Sequence, residues 1–433
     1  MILLALGTSA ASATSGQTAF ASLEEVWKYA DAHNVSIRNA QYETDKATYG
    51  RRQSYAALLP TISATGSVTD NTALQTTLIP ASLKGGPDGV YFPVQFGQKY
   101  IYAGGITAQL DIVNLQTWMN VRIARETEEL NKASLGNTRR NTYQQIATQY
   151  YGYLLNKEAA RLAAQSRSIA DSVLQSVSNK YSEGTVNMAN VDIAKLNEEK
   201  AEQTLINASY QMRTAANAMK SLLNMAVTDS LEISSNLDRD MSTNSDAAFA
   251  EDPSVRVALH QSKVNLAQYR SANTSFAPTL SLIYSNTEQL NDSVLKPFRS
   301  GLNWYPARYY ALRASWNIFT GGSRWLQAKK SRINYEESEL QLDNTRKQAA
   351  INDENLRLGY SKATALAKKA EHIMNLSFDN YQHISYRYEA GMTSIEERLN
   401  AFTDYITYQN QYLNSLSDLL VQLYQMKIRQ QSF

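Results

Sequence analysis

Sixty-seven residues from Trp118 to Gly184 contain no proline. Glycine interrupts the stretch only at Gly136 and Gly152 before closing it at Gly184. At ~1.5 Å per residue a helix of this length spans ~100 Å, far beyond an ordinary globular helix of about 11 residues. No small domain buries such a rod, so it must pack along others of its kind. The stretch also occurs twice. Trp118 corresponds to Trp325, Gly152-Tyr153 to Gly359-Tyr360, and Tyr181-x-x-Gly184 to Tyr388-x-x-Gly391, each pair 207 residues apart. One inserted residue would turn a packed helix's apolar stripe by about 100°, so constant spacing means two rods of equal length. The chain is an internal duplication.

Several classes drop out on composition. Net charge is +2 over 433 residues, which gives no electrostatic case for nucleic acid. There is no cysteine, hence no disulfide, thiolate metal site, cysteine nucleophile or lipidated cysteine. Mean hydropathy is −0.42, and no apolar run approaches the ~18 residues of a spanning helix. A soluble protein or a β-barrel is left. Tyrosine, at 27 residues, suits surfaces that are half wet and half apolar.

Residues 1–21 read as a secretory leader that has lost its front. Ile2-Leu3-Leu4-Ala5-Leu6 resembles an apolar core, and Ala11-Ser12-Ala13 or Ala19-Phe20-Ala21 offers a cleavage site. Residues 22–225 form the first repeat, 226–252 a connector rich in Ser, Asn and Asp, and 253–433 the second repeat. Each repeat reads as helix, strand, loop, strand, long helix, turn, helix. Ser22 caps the first helix, which extends to Leu59 and stops at Pro60.

The strands are expected at about 61–70, 104–113, 279–287 and 310–319. Ile62, Ala64, Ile106, Ala108, Leu110, Leu280 and Leu282 alternate with Thr, Ser, Gln and Asp, while Ile283 breaks the polar face. Such alternation fits a half-exposed soluble sheet or a barrel with lipid outside and water inside. Trp304, Tyr305, Tyr309, Tyr310 and Trp316 cluster as an aromatic girdle would. Four strands leave two open edges, so a barrel needs several chains, each donating four. The rods then continue it as a helical tube. Tyr150, Tyr153 and Leu154 give an i, i+3, i+4 stripe for packing between neighbours.

At this point the chain resembles the TolC-like outer membrane efflux protein family. The carriers are Leu58-Leu59-Pro60-Thr61 and Ala277-Pro278-Thr279-Leu280, then Trp316-Asn317-Ile318-Phe319-Thr320-Gly321-Gly322, then the two Tyr-x-x-Gly turns. The resemblance implies a fold that is mainly α with a membrane β-barrel part. Three copies would close a 12-strand barrel and an α-helical periplasmic tunnel. It implies an outer membrane channel, no enzyme activity and no cofactor. Its partners would be a periplasmic adaptor, an inner-membrane transporter of RND or ABC type, and outer membrane lipid. The cargo would be small molecules or, alternatively, a protein secreted by a type I system. The competing class is a periplasmic helical scaffold without a channel.

The resemblance also names residues. Gly184 and Gly391 make the hairpin turns. Pro60, Pro278, Gly321 and Gly322 mark the junction of strands and rods. Acids at the second turn narrow the pore; here the matching positions are Glu397 and Asn400, so one of two is acidic. Asn190 stands at the first-repeat position, with Asp192 nearby, and Tyr388 matches a tyrosine that latches the closed end. Independently of the family, three carboxylates about an axis repel each other and attract cations. Acids after Ser394 also complement a helix dipole.

No motif of enzyme chemistry competes. His33, His260, His372 and His383 are scattered. Gly104-Gly105 and Gly321-Gly322 lack the Lys-Ser/Thr continuation of a phosphate loop, and no nucleophile elbow is present.

Overall fold

The structure, a computed structural model, describes residues 17–235, 248–295, 303–431 and 433. In chain order the elements are β1 (Gln17–Phe20), α1 (Leu23–His33), α2 (Val35–Ala56), β2 (Thr61–Asp70), β3 (Thr76–Pro80), β4 (Tyr91–Gln95), β5 (Tyr100–Val113), α3 (Leu115–Ser182) and α4 (Met188–Leu222). They continue with β6 (Ser230–Ile233), α5 (Pro253–Thr274), β7 (Thr279–Asp292), β8 (Tyr305–Ser315), α6 (Ser323–Glu389) and α7 (Ile395–Gln430). The rods α3 and α6 have 68 and 67 residues. Two compact units arise, and neither coincides with a repeat. The first comprises the described residues of Met1–Asp45, Leu130–Leu259 and Gln341–Phe433; the second those of Lys46–Glu129 and His260–Leu340.

The first unit is built on an apolar core that joins α1, α3, α4 and α7. Leu23, Val26, Trp27 and Ala30 fall on one face of α1 and bury against Tyr143, Ile146, Tyr150, Leu416, Leu420 and Leu423. The Trp27 indole stacks on Tyr143 at 4.9 Å and donates to its carbonyl at 3.2 Å. Tyr150, Tyr153 and Leu154 belong to this core. The neighbours that this stripe packs against are other helices of the same chain.

The expected single helix over 22–59 breaks in two. Asn34 adopts an extended conformation, its side chain accepts from the Ile37 N–H at 3.1 Å, and its amide donates to the Leu222 carbonyl at 2.7 Å. A residue that caps one helix while bonding another ends the first helix there.

Most of the proposed leader, residues 1–16, lies outside the described residues. Gln17–Phe20 pairs in parallel with β6, and Phe20 joins the core. The connector 226–252 is described only in part, and it supplies β6.

The second unit holds an antiparallel sheet in the order β2-β5-β7-β8. β2 matches its expected span. β5 begins at Tyr100 rather than near 104, and β7 runs to Asp292 rather than 287, so part of the expected loops is strand. β8 occupies Tyr305–Ser315 instead of 310–319. The cause is the register: Ser315 pairs with Thr279, the first strand residue after Pro278, and β7 offers nothing beyond it. The polar segment after β2 also contains a hairpin, β3 with β4, that alternation did not announce. At the sheet centre a Cβ on Gly105 would stand 2.5 Å from the Asn286 carbonyl oxygen. Only glycine lets β5 and β7 approach this closely.

Candidate functional site

The two hairpin turns are built alike. Gly184 and Gly391 have φ of +74° and +73°, a left-handed conformation that glycine adopts without a Cβ penalty. The Thr185 N–H reaches back to the Lys180 carbonyl at 2.9 Å, and the Met392 N–H to that of Arg387 at 2.8 Å. Each closes the last turn of a rod. The return helices are capped at equivalent positions. Asn187 accepts from the Asn190 N–H at 3.1 Å, and Ser394 from the Glu397 N–H at 3.2 Å. The Glu397 carboxylate also accepts the Thr393 hydroxyl. Glu397 is thus part of a cap, with Glu396 beside it in the first turn. Glu397, Asn400 and Asp192 are exposed, and Asn190 is half-buried. Among the described residues no three His, Cys, Asp or Glu side chains converge as a metal would require.

Tyr388 behaves differently from its counterpart Tyr181. It is 7% exposed, whereas Tyr181 is 47% exposed. Tyr388 sits among Val173, Val177, Ala194, Ile395 and Leu399 from both hairpins. Lys180 Nζ lies 4.2 Å from its ring centre and Arg398 Cζ 5.2 Å. Cation–π contacts of this kind contribute ~0.5–2 kcal/mol each. The Tyr388 hydroxyl and Arg398 Nε are buried with no hydrogen-bond partner among the described residues. Sequence reasoning singled out Tyr388 but missed Lys180 and Arg398, because nothing in the chain's spacing brings those two to one ring.

A second polar cluster in the same unit was also missed. Arg140 grips Asp252 through bonds of 2.8 and 2.7 Å, and Arg429 grips Asp353 at 2.6 and 2.9 Å. Arg429 also reaches the Ala250 carbonyl and lies 3.7 Å from Asp252. Asp252 caps α5 by accepting from the Ser254 N–H and hydroxyl at 2.8 and 2.6 Å. Burial alone would push the Asp252 carboxyl up. The Ser254 hydrogen bonds and the two guanidiniums outweigh it and hold the group below the usual range.

The junction residues lie where the strand and rod ends were placed. Pro60 and Pro278 immediately precede β2 and β7. Gly321 and Gly322, with φ of +62° and +79°, form the turn into α6. Trp316 lies past the end of β8, and its indole donates to the Phe276 carbonyl at 3.0 Å.

The sheet distributes its exposure against the usual sense. By register, Ile62, Val68, Ile106, Leu110, Leu282, Tyr310 and Leu312 share one face. On that face Ile62 is 74% exposed, Val68 62%, Leu312 65% and Tyr310 79%. On the other face Ser281, Ile283 and Ser285 are buried. At the far end of the apolar face the pair Tyr102 and Leu290 is covered. Both edge strands, β2 and β8, are exposed along nearly their whole length. The expected girdle is only partly realised: Tyr310 faces the apolar side, but Tyr305 and Tyr309 pair with Gln289 and Ser285 on the hydroxyl side. Among the described residues, no helix is long and apolar enough to cross a membrane.

Comparison with known proteins follows the same line. Residues 27–225 match the family described as outer membrane efflux protein, which bears out the resemblance read from the sequence. The fold is shared with solved membrane proteins at low identity. A membrane protein from Pseudomonas aeruginosa superposes with a TM-score of 0.74 at 15% identity, over 94% of this chain and 93% of its own. The outer membrane protein VceC of Vibrio cholerae gives 0.74 at 17% identity, over 93% and 95%. The Campylobacter jejuni CmeC outer membrane channel gives 0.71 at 14% identity, over 94% and 85%. No curated protein matches the chain in sequence.

Proposed function

We propose that this chain, whose first repeat carries the outer membrane efflux protein match, is one third of a passive export channel in the outer membrane. Three copies contribute four strands each to a 12-strand barrel. Their long helices form a periplasmic tunnel that docks an adaptor and, through it, an inner-membrane transporter. Small molecules supplied by that transporter are the cargo.

The observation that carries this reading is the inverted sheet. A soluble sheet hides its apolar side and wets its polar one. Here Ile62, Val68, Ile106 and Leu312 stand exposed while Ser281 and Ser285 are covered. Hydrocarbon accepts that apolar face, and a water-filled lumen accepts the hydroxyl face. Lengths agree as well. Eleven residues of β8 extend about 37 Å, and a tilt near 40° projects that to about 28 Å, against an apolar band of about 25 Å. Open edges on β2 and β8 support closure by further copies, since long unpaired edges otherwise aggregate.

The test is reconstitution. Purified protein added to planar bilayers is expected to give discrete conductance steps and to run as a trimer in detergent. A monodisperse monomer, soluble without detergent and silent in the bilayer, would overturn the channel in favour of a scaffold.

A further inference from the structure

Charge is sorted along the apolar face of the sheet. Counting outward from the rods, a row of Leu110, Leu282 and Leu312 is followed by one of Ile62, Ala108, Tyr284 and Tyr310. Neither row carries a charge. The next row holds Ala64, Ile106, Asn286 and Arg308. Among the described strand residues Arg308 is the only cation on this face. The acids of the face, Glu288, Asp70 and Asp292, all lie in rows still further out.

Arg308 is exposed, yet its guanidinium is held. Its Nε donates to Asn286 Oδ1 at 2.9 Å across the β7–β8 pair. That bond fixes the plane of the fork and leaves both Nη groups for a ligand. Two donors set in one plane match the oxygens of a phosphate, which arginine binds bidentately. One row toward the rods, Tyr284 and Tyr310 pack ring against ring with centroids 4.9 Å apart, and Tyr310 is 79% exposed. Rings with an apolar body and a wet hydroxyl gather at the polar border of a membrane.

Depth agrees with chemistry. Arg308 stands seven residues from Ser315, where β8 ends beside the rods. That is ~24 Å along the strand, or ~18 Å across the membrane at a tilt near 40°. Trp316, 61% exposed, lies just past that end. An apolar band of about 25 Å that begins around Trp316 has Arg308 in its outermost third, and a long side chain snorkels the remainder. An arginine on a lipid-facing strand is costly at the midplane and nearly free at the border. We propose that Arg308, oriented by Asn286 and floored by the Tyr284–Tyr310 pair, binds the phosphate of an outer-leaflet lipid. The inference rests on the channel reading, which turns this face to lipid, and adds to it a headgroup contact and the level of the outer border. The carboxylates beyond Arg308 keep a phosphate from settling further out.

The probe is phosphatidic acid, compared with phosphatidylcholine of the same acyl chains. Trimers purified in detergent are mixed with both lipids, and the lipid retained is counted by native mass spectrometry. The parent is expected to prefer phosphatidic acid about fivefold, the factor that one basic residue contributes at an anionic lipid surface. Arg308→Gln, in protein that still runs as a trimer, should abolish the preference. Arg313→Gln is the control, because Arg313 is equally exposed on β8 but pairs with Ser281 on the hydroxyl face; it should leave the preference intact. Inorganic phosphate at the same concentration should not displace the lipid, since it has no acyl chains to hold it. Equal loss in both Gln variants would mean diffuse attraction, and displacement by inorganic phosphate would mean a simple anion site; either overturns the proposal. A parent trimer that conducts in bilayers without any lipid preference also overturns it and leaves the channel reading standing. A monomer that is soluble without detergent and retains no lipid overturns both.

Discussion

Leu312 separates a membrane face from an ordinary surface. It is 65% exposed, and its row across the sheet, Leu110, Leu282 and Leu312, consists of leucine alone. On a soluble sheet Leu312→Arg would change stability by no more than about 0.5 kcal/mol. In hydrocarbon an arginine on a barrel's outer face costs about 2–4 kcal/mol, or roughly 30- to 800-fold in the folding equilibrium at 1.4 kcal/mol per decade. Three copies per barrel would raise that to about 6–12 kcal/mol if the sites act independently. The matched control is Thr65→Arg, on the hydroxyl face, where a water-filled lumen hydrates the charge. Urea titration of folding into lipid vesicles reads the difference. Leu312→Arg should fold at markedly lower urea or fail to insert, and Thr65→Arg should follow the parent. Equal tolerance of the two would refute the assignment of the apolar face to lipid.

Three further outcomes are expected. Arg429→Met strands Asp353 and weakens Asp252, a loss of about 3–5 kcal/mol; adding Asp353→Leu should recover much of it, and a double variant that melts as low as the single would refute the pairing. Because the Asp252 carboxyl is held below its usual value, its stabilising contribution is present above the unfolded value of about 3.9 and is lost as pH falls through the lower folded value. Melting curves of Asp252→Asn should therefore be less pH-dependent below about pH 4 than those of the parent. Glu397 has both a cap role and a proposed gate role, which charge separates. Glu397→Gln keeps an acceptor for Thr393 but removes the carboxylate, so altered cation block in bilayers with both Gln and Ala variants indicates the gate, whereas an effect of Ala alone indicates the cap.

The rods and their turns were legible because each depends on local rules. Proline is excluded, glycine stands where φ is positive, and a capping side chain follows three residues later. The strand ends were not, since an edge is set by where the partner strand begins. That is why β8 ends at Ser315 although Trp316-Asn317-Ile318 continues the alternation. The girdle was only partly realised for a related reason: adjacent aromatics point to opposite faces, and only register says which. The clamp on Tyr388 and the Arg140–Asp252–Arg429–Asp353 cluster join residues 10 to 208 positions apart, and no periodicity carries such pairs.

Sequence by itself determined that this protein is a duplication of helix, strand pair and long helical hairpin, because helix and strand periodicity are properties of neighbouring residues. Only the tertiary structure decided which side of the sheet is covered, which copy of a duplicated tyrosine is buried, and which strand edges are left open. Those depend on how distant segments meet, and two sequence-equivalent positions can meet different surroundings once the chain has folded.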